Sequence, residues 1–232
     1  MHNSKITQHQ SLRHRQILVD PKFTDSIQNL NLFTEHEQDY ITEWIFKKKA
    51  FVGRSLAGCD LSDTKVIPVG LMAYISPKDK KRLNLLVKKS SILTIIEPLL
   101  LREVLGFLPK KKLREVEDFL DSFNGYPITF RVYGSLFWSY QDKKNHMNEK
   151  SDLDLLIQFN KFFDPEDLSQ QLFKYSEGMS IRLDGEFEIL GGASVSWREF
   201  ASNSETLLVK TDFGPRLQHR DEIMEQFRAR CY

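Results

Sequence analysis

Asp152 and Asp154 stand one leucine apart in Ser-Asp-Leu-Asp-Leu-Leu-Ile-Gln-Phe, a run otherwise fit to be a buried strand. Alternation along a strand puts both carboxylates on one face with Leu156, and Leu153, Leu155 and Ile157 on the other. Carboxylates about 4 Å apart repel by about 1 kcal/mol in water and by more when partly desolvated, so that face calls for a cation. A hard divalent ion such as Mg²⁺ meets the need, because it commonly takes one or two carboxylates together with substrate phosphates. Taken alone, the two aspartates also describe the solvent face of an edge strand.

A second feature shifts the weight. The alternating run Ile-Thr-Phe-Arg-Val-Tyr, residues 128–133, ends at Gly134-Ser135, where a short helical run begins. Glycine allows close backbone approach, and a helix start offers unpaired N–H groups to an anion, to which Ser135 adds a hydroxyl. On its own this is an ordinary strand-to-helix turn; beside the aspartates it sets a phosphate site next to a cation site. A third carboxylate is available in Arg-Leu-Asp-Gly-Glu-Phe-Glu-Ile, where Asp184, Glu186 and Glu188 share a face if the segment is one strand. Glu186 is the first choice and Asp184 the second, whereas a hairpin turn at Asp184-Gly185 would break that strand. Lys210 and Arg198 are cations on or beside predicted strands of the same sheet, placed either to hold phosphates or to keep strand edges soluble.

These residues need a sheet to carry them. Before it, Thr34 and Glu37 are spaced as a capping box for a helix whose Tyr40, Ile41, Trp44 and Ile45 share a face. Short glycine-punctuated strands follow. Residues 1–14 read as a mobile polar tail, 15–88 as a small mixed α/β domain and 89–232 as the catalytic domain. In the last, a helix with Leu113, Val116, Leu120 and Phe123 on one stripe precedes the first strand, and Asp164-Pro165 opens another helix with Leu168, Leu172 and Tyr175 facing inward. Strands over residues 180–190, 193–200 and 206–211 complete a strand-rich end, with a turn at Gly191-Gly192. The expected class is α+β, with a mixed sheet and helices mainly on one side.

The composition sets outer bounds. Lys plus Arg number 33 against 32 Asp plus Glu, so nothing argues for nucleic acid as partner. Two cysteines, Cys59 and Cys231, fit neither metal nor redox spacing. The apolar runs fall short of a bilayer span and no signal-peptide core opens the chain, so a cytoplasmic protein without membrane partners is expected. His2, His9 and His14 fit no single helical face and read as solvated tail residues.

The Gly-Ser turn followed by Ser-Asp-Leu-Asp resembles the signature of the nucleotidyltransferase superfamily, whose fold is polymerase-beta-like. Arg-Val-Tyr-Gly-Ser-Leu-Phe-Trp-Ser-Tyr, Ser-Asp-Leu-Asp-Leu-Leu-Ile-Gln-Phe, Arg-Leu-Asp-Gly-Glu-Phe-Glu-Ile-Leu-Gly-Gly-Ala-Ser-Val-Ser-Trp-Arg-Glu-Phe and Leu-Leu-Val-Lys-Thr, in this order, narrow it. They resemble the malonate decarboxylase holo-acyl-carrier-protein synthase, or phosphoribosyl-dephospho-CoA transferase, family, as do Arg-His-Arg-Gln-Ile-Leu-Val and Ile-Pro-Val-Gly-Leu. The resemblance implies a donor, 2'-(5''-triphosphoribosyl)-3'-dephospho-CoA, and an acceptor serine on the apo acyl-carrier subunit of malonate decarboxylase. It implies Asp152 and Asp154 as catalytic, Mg²⁺-binding aspartates, with Glu186 or Asp184 third, and Gly134 and Ser135 at the donor phosphates. Arg198 and Lys210 would assist there. Trp138 and Trp197 are placed in the core more readily than against an adenine, and Lys143, Lys144 and Lys150 either meet an acidic carrier or simply solvate a loop. The alternatives are ATP-dependent nucleotidyl transfer to another acceptor and a non-catalytic carrier-binding module.

Overall fold

A computed structural model describes residues 11–23, 25–56, 65–76 and 79–231. His2 and His9 of the expected tail, and Cys59, lie outside the described residues. The chain is α+β and divides into two units: one runs to Glu97 and includes Asp212–Gly214, and the other comprises Pro98–Thr211 with the residues from Pro215 onward.

In the first unit, β1 (Gln16–Val19) precedes α1 (Glu35–Phe46), β2 (Phe51–Gly53), β3 (Val66–Ser76), β4 (Asp79–Lys88) and β5 (Ile92–Ile96). Among the described residues these strands form a sheet in the order β4-β3-β2-β1-β5. The capping box forms as spaced: Thr34 Oγ1 accepts from the Glu37 amide, and Glu37 Oε2 accepts from the Thr34 amide at 2.9 Å. Ile41 and Trp44 are the buried apolar residues of α1. This unit runs past the residue-88 boundary expected from the order of predicted elements, because Ile92–Ile96 pairs antiparallel with β1.

The second unit begins with α2 (Leu101–Val104), α3 (Lys110–Ser122), β6 (Ile128–Val132), α4 (Gly134–Asp142) and β7 (Leu153–Phe159). It continues through α5 (Pro165–Ser176), β8 (Leu183–Glu188), β9 (Ser194–Ser196), α6 (Trp197–Phe200), β10 (Thr206–Thr211), β11 (Gly214–His219) and α7 (Arg220–Arg230). Its described strands are ordered β11-β10-β9-β8-β7-β6. β7 and β8 are parallel, and β6, β9 and β10 join as antiparallel neighbours, giving a mixed sheet.

Alternation gives this sheet two chemically different faces. On one, Phe130, Leu155, Ile157, Phe159 and Phe187 meet Phe119 of α3, Phe200 of α6 and Phe227 of α7, with Phe119–Phe130 and Phe159–Phe227 ring centroids each 4.9 Å apart. Burying each such ring contributes on the order of 1.5–3 kcal/mol. Trp138 and Trp197, at 7% and 1% exposure, are also buried. The other face carries the polar residues of β6 to β10. No helix among the described residues is long and apolar enough to cross a membrane.

One local expectation changes, and the strand reading through Asp184 and Gly185 holds against its hairpin alternative. Trp197–Phe200 is a helical turn following Ser196, not a continuation of β9. Asp184 and Gly185 lie inside β8, not in a hairpin: a β-carbon on Gly185 would meet the Leu155 carbonyl oxygen at 2.3 Å, so the glycine permits β8 to lie against β7. The hairpin connection comes later, at Gly191 and Gly192, both at positive φ.

Candidate active site

The end of β6 and the starts of β7 and β8 bring Gly134, Asp152, Asp154 and Asp184 to one end of the sheet. Gly134 opens α4 with φ 65°, a left-handed conformation that favours glycine. The Tyr133 amide before it donates to the Asp154 carbonyl at 3.2 Å, which pins the turn to β7. A β-carbon on Gly134 would lie 1.8 Å from Asp154 Oδ2 and 2.6 Å from its Cγ. The helix start and the Asp154 carboxylate are thus packed directly against each other. Ser135 is half-buried in the first turn, and its carbonyl accepts from Ser139 Oγ at 2.9 Å.

The segment returning from α4 to β7 is also tied down. His146 Nε2 lies 2.6 Å from Asp142 Oδ2, and the His146 amide donates to the fully buried Ser139 Oγ at 3.0 Å. The Ser151 amide donates to the Asn148 carbonyl and Ser151 Oγ accepts from the Asn148 amide. These turns deliver Asp152 to the threshold of β7. Lys143, Lys144 and Lys150 are exposed on the same segment, with Lys143 Nζ 3.7 Å from the Tyr140 ring centroid.

Strand register decides which third carboxylate is near. Asp154 is the parallel partner of Asp184, whereas Glu186 is the partner of Leu156, farther along the same face. Asp152, Asp154 and Asp184 are all half-buried. Glu186 is 4% exposed; Lys210 Nζ donates to its Oε1 at 2.6 Å and Ser194 Oγ donates to its Oε2. The structure therefore groups Glu186 with Lys210, and Asp184 with Asp154. Beyond them, Arg131 Nε donates to Gln158 Oε1 at 2.5 Å, Gln158 Nε2 to Glu188 Oε2 at 2.8 Å, and Arg230 Nη2 to the same Glu188 oxygen at 2.6 Å.

At the other end, two arginines flank the aspartates. Arg182 Nη1 donates to Asp152 Oδ2 at 3.2 Å. Arg198 donates through Nε and Nη2 to the Leu183 carbonyl, and its guanidinium lies 4.4 Å from the Trp197 ring centroid. Burial and then the charge of Arg182 draw the Arg198 guanidinium below the usual arginine range, against the opposing pull of Asp184 and Asp152. Arg182 was not singled out from the sequence. The signal that finds it is the parallel register, since the Leu153 amide donates to the Arg182 carbonyl at 2.9 Å.

Among the described residues, no group of three or more His, Cys, Asp or Glu side chains is gathered as a ready metal cage. A cavity of about 860 Å³ lies between α3 and α5 beside Arg114, Asp118, Lys174 and Tyr175. None of the candidate residues lines it.

Residues 100–221 match the family model described as the phosphoribosyl-dephospho-CoA transferase MdcG C-terminal domain. A protein of Bradyrhizobium diazoefficiens named phosphoribosyl-dephospho-CoA transferase is 31% identical over 136 residues, covering 57% of this chain and 58% of the relative. Proteins with the same name are 28% identical in Xanthomonas axonopodis pv. citri, covering 61% of this chain and 66% of the relative, and 26% identical in Xanthomonas campestris pv. campestris, covering 66% and 70%. No solved structure matches the chain.

Proposed function

Because the chain belongs to the phosphoribosyl-dephospho-CoA transferase MdcG C-terminal domain family, we propose that it transfers the phosphoribosyl-dephospho-CoA group of 2'-(5''-triphosphoribosyl)-3'-dephospho-CoA to a serine of the apo acyl-carrier subunit of malonate decarboxylase. The serine Oγ forms a bond to the donor's α-phosphorus, the bond from that phosphorus to the bridging oxygen breaks, and diphosphate leaves with the electron pair. The serine proton passes to a carboxylate of the site. This is nucleotidyl transfer chemistry, in which positioning and charge neutralisation do most of the work.

The observation that carries the reading is the packing of Gly134 against Asp154, with Asp184 in register beside it. The α4 start directs amide hydrogens toward a donor phosphate while Asp154 faces the same space. Asp154, with Asp184 in register beside it, offers oxygen ligands of the kind Mg²⁺ takes, and Mg²⁺ needs only one or two protein carboxylates when phosphates and water complete its shell. When bound, Mg²⁺ supplies neutralisation of the charge that grows on the leaving oxygens. Asp184 takes the role of third carboxylate in preference to Glu186, whose oxygens are engaged by Lys210 and Ser194. Arg198, fixed on the Leu183 carbonyl, is the cation assigned to the donor phosphates.

Incubating the protein with Mg²⁺, apo carrier and either the triphosphoribosyl donor or ATP, then weighing the intact carrier, tests the proposal. The expected result is the prosthetic-group mass increment from the first donor alone. An AMP-sized increment from ATP, or no increment from either donor, would overturn it.

A further inference from the structure

We propose that Arg182 and Arg198 together bind the diphosphate released in the reaction, with Arg182 exchanging its contact on Asp152 for a phosphate oxygen. The inference rests on the transfer reading above for the identity of the anion, and on the following geometry for the site.

The two guanidinium groups differ in a way that suits an exchange. Arg198 is held rigidly: it donates twice to one carbonyl, at 3.2 and 2.7 Å, and stacks over the buried Trp197 ring. Its Nη1 makes no hydrogen bond among the described residues, so one edge of a preorganised fork is unspent. Arg182 is held loosely, with a side chain 62% exposed and a single hydrogen bond of 3.2 Å to Asp152. That is longer than the usual charge-assisted contact of about 2.7–2.9 Å, and exposed pairs of this kind contribute little. Breaking it costs correspondingly little.

Like charges are nevertheless brought together here. Arg198 is bonded to the carbonyl of Leu183, the residue that follows Arg182, and Arg182 reaches Asp152 at the threshold of β7. A pair of arginines with unspent donors matches an anion carrying several charged oxygens on two adjacent phosphorus atoms. Inorganic orthophosphate spans less of such a pair. Release of Asp152 by Arg182 also leaves that carboxylate available at the moment polyphosphate arrives, so donor entry and assembly of the carboxylate set become one event.

Isothermal titration with inorganic diphosphate and with orthophosphate, with and without Mg²⁺, tests the site directly. The wild-type protein is expected to prefer diphosphate, Arg182→Ala and Arg198→Ala to weaken it by about tenfold or more, and Arg182→Lys to retain part of the affinity. Arg182 is exposed, so its variants keep their fold, as circular dichroism will confirm, even if Arg198→Ala does not. Equal affinity for diphosphate in Arg182→Ala and wild type, or no diphosphate binding by wild type, overturns the proposal. Arginine-dependent diphosphate binding without any modification of the carrier upholds this site and rejects the transferase reading. A modified carrier with unchanged diphosphate affinity in Arg182→Ala does the reverse.

Discussion

The Asp154 carboxylate occupies the space in which a side chain on Gly134 would lie, with Oδ2 1.8 Å from that position. Gly134→Ala therefore adds a collision at the site to the strain of a left-handed backbone. The backbone term, about 1–2 kcal/mol, lowers Tm by about 2–8 °C in a protein of this size. Displacement of the carboxylate is expected to lower transfer by about 100-fold or more, on the scale of losing one preorganised electrostatic group. Measuring both together separates the effects; a variant with normal turnover shows that the close packing is incidental.

Asp184 and Glu186 are adjacent on one face of β8 yet are given different roles by their neighbours. Asp184→Asn is expected to weaken Mn²⁺ binding, followed by electron paramagnetic resonance with donor present, while leaving stability nearly unchanged. Glu186→Gln is expected to do the opposite, because it removes the charge that Lys210 and Ser194 are built around. Breaking one side of a buried pair costs up to about 3–5 kcal/mol, and the 42% exposure of Lys210 reduces this. The reverse pattern in the two variants would restore Glu186 as the third carboxylate.

The first unit offers a pH-dependent test unconnected with catalysis. Lys81 Nζ, 2.5 Å from Glu37 Oε1, and then the Thr34 amide hold the Glu37 carboxyl below the usual glutamate range. A carboxyl whose folded value is depressed contributes stability that is present above its unfolded value of about 4.3 and is lost as pH falls through the folded value. Wild type should exceed Glu37→Gln in denaturant midpoint at neutral pH, with the gap closing as pH falls below about 4.3. A gap that is constant from neutral to acid pH would remove the carboxylate from the account.

Features signalled by neighbouring residues were legible in the sequence. The Thr34–Glu37 box, the Asp164-Pro165 start of α5 and the helix beginning at Gly134 each depend on a few consecutive side chains. Features created by distant pairing were not. The Asp154–Asp184 register and the approach of Arg182 to Asp152 exist only because β7 and β8 run parallel, and β5 joins the first unit only through β1. The helix α7 was hidden for another reason: it is charged almost all round and buries only Ile223 and Phe227, too few residues to set a clear period.

The central claim is tested most directly by a single-turnover experiment with wild type and Asp154→Asn. Both are mixed with Mg²⁺, the triphosphoribosyl donor and apo carrier, and the carrier is weighed intact. Wild type should convert the carrier to its prosthetic-group form, while Asp154→Asn, with a melting temperature close to wild type, leaves it unmodified. Conversion by Asp154→Asn at a rate near that of wild type would contradict the assignment of this carboxylate and of the site built around it.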